Sequence, residues 1–278
     1  MSSQSEKAEY FRSLHHGTHI LVLPNAWDVP SARVFEEAGF PAVATSSAGL
    51  MVSLGYPDGE VMPRSEFISA TKRIAHAVSV PLSADIVSGY GATTKEVEVT
   101  VKGVLRAGAI GINIEDFVHT TKRLHDVAKQ VRKLRAIRTV GESMRIPLVI
   151  NARTDALRFA PGDEDAKFDE AVRRATAYRD AGADCVYPMG LVDAPAMSRF
   201  VKELRSPVNV MVRKGLPPIG ELERLGIARV SFGPAASYAT FGLLKRAARE
   251  VLEHGTFENL VAGAIDFDEL NGLAAPKE

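Results

Sequence analysis

Eight short runs rich in β-branched residues begin near residues 19, 41, 81, 110, 147, 184, 207 and 228, and helical patterns fill the gaps between them. That alternation constrains the fold more than any other feature of the chain. Strands that are almost continuously apolar must be covered on both faces, which is the condition of a parallel sheet wrapped by helices. Four runs follow a glycine placed as a helix stop, Gly39, Gly108, Gly182 and Gly226. Three open on Pro81, Pro147 and Pro207, a residue tolerated at a strand's first position. Two intervening helices are legible in detail. Thr93 and Glu96 form a capping box ahead of Val97, Val101, Val104 and Leu105 on one face, and Val127, Val131 and Leu134 repeat the pattern over 125–139. Eight such units predict an α/β fold, a single (β/α)8 TIM barrel over residues 1–254. The competitor is an open doubly wound sheet, but NAWDVPSAR follows the first run where a glycine fingerprint would stand. Residues 255–278 carry no ninth run and read as a C-terminal arm that packs on a neighbouring subunit, or as a frayed end.

The charge balance excludes some functions. With 34 basic and 34 acidic residues, the chain lacks the positive excess that nucleic acid or an anionic membrane calls for, and neither is expected as a partner. Cys185 is the single cysteine, so an internal disulfide and a cysteine zinc site are both excluded, in keeping with a reducing compartment. The first residues, MSSQSEKAEYFRSL, lack the apolar centre of a signal peptide, and no stretch of roughly 18 apolar residues occurs. A cytoplasmic location is predicted.

Strand alternation then sorts the polar residues. In a barrel every second residue faces inward, and catalytic groups gather at the carboxyl ends of the strands. In the fourth run Ile112 and Ile114 suit the helix side, which turns Asn113 and Glu115 inward; the fifth turns Asn151 and Arg153 inward, and the third Ser83, Asp85 and Val87. The second run adds Thr45, Ser46 and Ser47, and the first adds Asn25, Trp27 and Asp28. Asp85, Glu115 and Arg153 thus converge on one mouth. As a structural plug they would stabilise poorly, because buried ions are costly to desolvate. The acids suit a hard cation such as magnesium, and the arginine suits a carboxylate held by its fork. The predicted ligand is a small oxygen-rich anion, and Trp27 reads either as a wall of its pocket or as a packed aromatic.

Six motifs in order, PNAWDVPSARVFEEAGFPAVATSSAG, SLGYPD, SADIVSGYG, INIEDF, INARTDA and YRDAGADCVYPMGL, give the chain a resemblance to the isocitrate lyase and phosphoenolpyruvate mutase superfamily along nearly its whole length. The resemblance implies a (β/α)8 barrel, a homo-oligomer (dimer or tetramer) that exchanges a terminal helix, and magnesium-assisted chemistry on a 2-oxo acid or its enolate. It implies further that Ser46 and the backbone at Ser47 bind the substrate carboxylate; Asn113 and Asn151, turned inward by strand alternation, are expected to line the substrate as well. Asp58 is similar to the acid that orients metal-bound water, Asp85 to the principal metal ligand, Glu115 to a further acid of the metal site, and Arg153 to the group that stabilises the enolate. Two positions depart from the pattern. Val87 stands where the superfamily places a second acid, and Leu124 stands near the position of the lyases' catalytic cysteine, in the loop HTTKRLHD. A hydrocarbon donates no proton, so standard isocitrate or methylisocitrate cleavage is not expected; His119 and His125 on that loop read as solvated loop residues or, for one of them, as a proton donor when the loop closes. The expected activity is cleavage of a carbon–carbon bond in a small 2-oxo or 2-hydroxy dicarboxylate, oxaloacetate decarboxylation being one example. The alternatives are carbon–phosphorus chemistry and a carboxylate-binding barrel without turnover. Replacement of Arg153 by Ala is expected to abolish turnover with little loss of fold.

Smaller features have quieter readings. Cys185 sits in an apolar strand and is expected as a packed thiol. The turn Ser88–Gly91 is a weak candidate for contacting phosphate, since no Walker lysine accompanies it.

Overall fold

The structure, a computed structural model, describes residues 3–275. Eleven strands are present among them: β1 (Leu21–Leu23), β2 (Asn25–Ala26), β3 (Val43–Thr45), β4 (Leu82–Asp85), β5 (Gly111–Glu115), β6 (Phe117–Val118), β7 (Arg123–Leu124), β8 (Val149–Thr154), β9 (Cys185–Pro188), β10 (Asn209–Met211) and β11 (Arg229–Ser231). Strands β6 and β7 form a small antiparallel hairpin beyond the end of β5. The other nine are parallel and run in the orders β2-β3-β4-β5-β8-β9 and β1-β11-β10. The two sheets meet at a Val186–Val208 bridge, and at the other junction only Pro24 separates β1 from β2. Counting β1 and β2 as one interrupted stave, eight parallel strands alternate with helices in a (β/α)8 barrel, as the eight runs predict. Each begins within two residues of its predicted start.

The local reasons are those read from the sequence. Thr93 caps the helix Thr94–Arg106 with Glu96 completing the box, and Val97, Val101, Val104 and Leu105 are all fully buried. Gly39, Gly108, Gly182 and Gly226 all have positive φ, which frees the chain to turn from helix into strand. Helix-side strand residues Ile112, Ile114, Ile150 and Ala152 are inaccessible to solvent. Val87 departs from expectation. Strand β4 ends at Asp85, and Val87 adopts φ 54°, stands outside the cavity lining and joins the apolar core.

After the long helix Ala235–His254 the chain continues as Glu258–Val261 and Phe267–Ala274. The last of these folds back on the helix Val29–Glu37 of the same chain and buries Leu273 there. Phe257, Leu260, Val261, Ile265 and Phe267 remain exposed. Residues 276–278 of the expected arm lie outside the described residues. No described helix is long and apolar enough to cross a membrane.

Candidate active site

The carboxyl ends of the strands surround a cavity of about 390 Å³. Its polar residues come in layers fixed by strand register. Asp85, Asn113 and Asn151 lie side by side on β4, β5 and β8, and one layer nearer the mouth Glu115 and Arg153 pair on β5 and β8 with Tyr187 beside them on β9. A relay runs along the first layer. The Asn151 amide donates to Asn113 Oδ1 at 2.8 Å, and the Asn113 amide donates to Asp85 Oδ1 at 2.9 Å. The backbone N–H of Ser47 donates to the other carboxylate oxygen of Asp85 at 3.1 Å. Asp85 is therefore oriented wholly by neutral donors, and it lines the cavity.

In the second layer the charges are matched. Arg153 Nη1 lies 2.7 Å from Glu115 Oε2, while its Nε and Nη2 grip both oxygens of Asp155 at 2.7 and 3.0 Å. Asp155 also accepts from Arg158 Nη1 at 3.1 Å. Burial alone would lower the arginine's pKa, but Glu115 and Asp155 hold it well above the ordinary value. Three of the five guanidinium N–H groups are occupied by these contacts, which leaves two for a ligand. Glu115 has its remaining oxygen bonded to His119 Nε2. Burial raises the Glu115 carboxyl, with Arg153 and His119 opposing it. Both of its oxygens are thus engaged by cations, so Glu115 does not fit the expected role of an open metal ligand.

His119 stands on the β6–β7 hairpin and lines the cavity with Asp58. Its imidazole pKa is raised, chiefly by the bond to Glu115. Asp58 is raised by loss of water and then by the charge of Asp85. Gly59 makes the approach of His119 feasible: a Cβ there would meet the His119 ring at 2.7 Å. His125, the other candidate acid, is buried instead, with Nε2 3.1 Å from Lys133 Nζ, and burial holds its pKa at about 4. A raised imidazole pKa means the charged form is favoured in the fold. The contribution of that pair is complete below the ordinary value of 6.5 and is lost as pH rises through the raised value. If His119 supplies a proton, turnover should persist above the range of a free imidazole and then fall on the alkaline side. His119→Gln is expected to remove that alkaline limb; an unchanged pH profile would exclude His119 as the acid.

The remaining predicted positions divide. Ser46 and Ser47 line the cavity, and Ser46 Oγ accepts from Gly49 N at 3.2 Å to cap the helix Ser47–Ser53. Trp27 lies outside the lining and packs against Gly49 on that helix, so it does not wall the pocket. Cys185 is fully buried, and burial pushes its thiol up to about 12, as a packed thiol requires. The turn at Ser88–Gly91 is closed on an acid, since Ser88 Oγ and Tyr90 N both donate to Glu60 Oε1, which removes it as a phosphate cradle. Asp116 and Asp155 were not singled out in the sequence, and they matter. Asp116 is inaccessible and accepts from Thr154 Oγ1, Tyr178 OH, Arg174 Nη1 and the backbone of Asp155, which locks the segment carrying Arg153. The motif INARTDA contains Asp155 two residues after Arg153, and that spacing was the available signal.

Residues 11–252 match the family model described as phosphoenolpyruvate phosphomutase. The chain belongs to that family. Within the wider isocitrate lyase and phosphoenolpyruvate mutase superfamily, it is 30% identical to the 2-methylisocitrate lyase of Bacillus subtilis, over 92% of this chain and 85% of that protein. Among solved structures, a 2,3-dimethylmalate lyase of the superfamily superposes with a TM-score of 0.83 at 26% identity, covering 96% of this chain and 94% of the other. Oxaloacetate acetylhydrolase in complex with its product oxalate gives a TM-score of 0.85 at 25% identity, covering 98% and 95%. The layered polar mouth of the barrel is where this phosphomutase-family chain carries its candidate chemistry.

Proposed function

We propose that the protein is a carbon–carbon lyase acting on a small 2-oxo or 2-hydroxy dicarboxylate of the oxaloacetate type, through a pyruvate-like enolate. The observation that carries this reading is the single cavity in which Arg153, fixed by two carboxylates, faces Asp85, Asp58 and His119. The lyase and acetylhydrolase relatives support the same reaction class.

In this reading the substrate carboxylate lies against Ser46 and the backbone near Ser47. For oxaloacetate the bond between C3 and the terminal carboxylate carbon breaks heterolytically: its electron pair becomes the pyruvate enolate, and the carboxylate leaves as carbon dioxide. The two free N–H groups of Arg153 stabilise the negative oxygen in a site largely shielded from water, where such contacts are strongest. The enolate carbon then takes a proton from the His119–Glu115 pair.

Magnesium can be judged from the donors present. Among the described residues no group of three or more His, Cys, Asp and Glu is arranged to hold a metal ion. Asp85 and Asp58 nevertheless form a facing pair of acids in which the charge of one raises the pKa of the other, and a cation relieves that repulsion. Two carboxylates suit magnesium, which keeps several waters. Asp85 and Asp58 would hold it, and bound magnesium supplies polarisation of the 2-oxo oxygen. Asp85→Ala is expected to remove any magnesium dependence.

Turnover with oxaloacetate and with phosphonopyruvate, each with and without magnesium, separates the readings. Activity on phosphonopyruvate alone would replace carbon–carbon cleavage by carbon–phosphorus chemistry. Absence of turnover, with oxalate still raising the melting temperature, would make the protein a carboxylate-binding barrel. We also propose that copies of the chain associate through the apolar residues left exposed on Ala235–His254 and the segments after it. A monomer by light scattering would contradict this.

A further inference from the structure

The floor of the cavity holds a cation that the protein leaves without a counter-ion. Arg229 opens β11, and register places it beside Asn209 of β10 and Leu21 of β1. Strand alternation sets it on the same inward face as Ser231, and both line the cavity that also holds Asp85 and Arg153. Only 2% of its surface is accessible. Its Nε and Nη1 have no hydrogen-bond partner, and among the described residues it forms no ion pair. The contrast with the other buried arginines is direct, since Arg153 is matched by Glu115 and Asp155 and Arg174 by Asp116 and Glu170. Nothing beneath supplies the missing charge either. His15, the ionisable neighbour on that side, has its pKa held at about 3 and is neutral.

A buried guanidinium without a partner is costly, and such costs persist in functional sites where a ligand repays them. The surroundings are polar as well: the Ser83 hydroxyl, which lines the same cavity, lacks a partner and can donate to a ligand oxygen, while Asn151 Oδ1 and Asn209 Oδ1 there are acceptors without partners. A planar fork of donors is matched best by a carboxylate. We propose that Arg229 binds the second carboxylate of the substrate, so that a dicarboxylate is held between Arg153 near the mouth and Arg229 at the floor. This rests on the dicarboxylate reading above and adds the residue that makes the site select two acid groups over one. Arg229 is then a specificity residue, separate from the groups that stabilise the enolate.

Malate and 2-hydroxybutyrate test this cleanly, since they share a four-carbon 2-hydroxy acid skeleton and differ only in a terminal carboxylate or methyl. Titration calorimetry on the whole protein with magnesium present should show malate bound at least about tenfold more tightly than 2-hydroxybutyrate. In Arg229→Gln and Arg229→Met, malate binding should fall about tenfold or more, to the level of 2-hydroxybutyrate, whose own binding stays unchanged. Arg229→Met should also melt above the wild type without ligand, because the unpaired buried charge is gone. Wild type that prefers malate, with both variants keeping that preference, would overturn the floor site and leave the lyase reading standing. Wild type that binds neither acid would overturn both.

Discussion

Replacing Arg153 by Ala should lower turnover on the preferred 2-oxo acid by about 10³-fold and reduce stability by about 3–5 kcal/mol at the same time. The first effect follows from removing the cation at the position where enolate charge develops. The second follows from the structure, because the buried Glu115 and Asp155 would be left with only His119 and Arg158 to offset their charge. The sequence reading, with its expectation of little loss of fold, did not contain the Asp155 contact. Arg153→Lys separates the two effects. A lysine keeps the charge but cannot grip both oxygens of Asp155 while reaching Glu115. It should fold with a melting temperature near that of the wild type and still lose about 10²-fold in turnover. Lysine supporting full turnover would show that a point charge suffices and that the fork has no role.

Asp116→Ala should give the largest loss of stability outside the cavity. Its carboxylate accepts four hydrogen bonds, and its removal leaves Arg174, itself only 7% exposed, with Glu170 as its one acidic partner, and takes that acceptor from Thr154 and Tyr178. Breaking a buried pair from one side costs about 3–5 kcal/mol, which for a chain of this size lowers the melting temperature by about 10 °C. Adding Arg174→Met should restore part of that loss, because the stranded cation is gone. Melting within about 2 °C of the wild type would mean that the network contributes little. Activity should also fall in Asp116→Ala, since the backbone of Asp155, which fixes Arg153, is held by Asp116.

What could be read from the sequence, and what could not, follows from the range of the interactions. Strand starts were legible because each is announced locally, by a glycine that ends a helix or a proline that opens a strand. The inward placement of Asp85, Asn113, Asn151 and Arg153 was legible because the period of two is strict inside a strand. It failed at Val87, where the strand has already ended and the backbone turns with φ 54°. It also failed for Trp27, which lies past the end of β2 and packs on a helix. Pairings between distant segments carried no local signal: Arg174 lies 58 residues after Asp116, and nothing near either names the other. The contacts of Glu115 with Arg153 and His119 were not legible, since alternation says which way a side chain points and not which charge awaits it. Arg229 was within reach, because ARVSFG puts it two residues before Ser231, but an apolar strand pattern concealed a charged residue at its start.

Arg153 and the turn at Ser46 and Ser47 are proposed to grip one doubly oxygenated anion at the barrel mouth, beside a magnesium that Asp85 would hold. A crystal structure with magnesium and oxalate, which imitates a pyruvate enolate, tests this arrangement most directly. The expected result is oxalate in the cavity, with one oxygen within hydrogen-bond distance of a free N–H of Arg153 and a carboxylate against the Ser46–Ser47 turn. Oxalate bound outside the cavity, or inside it without contact to Arg153, would contradict the account.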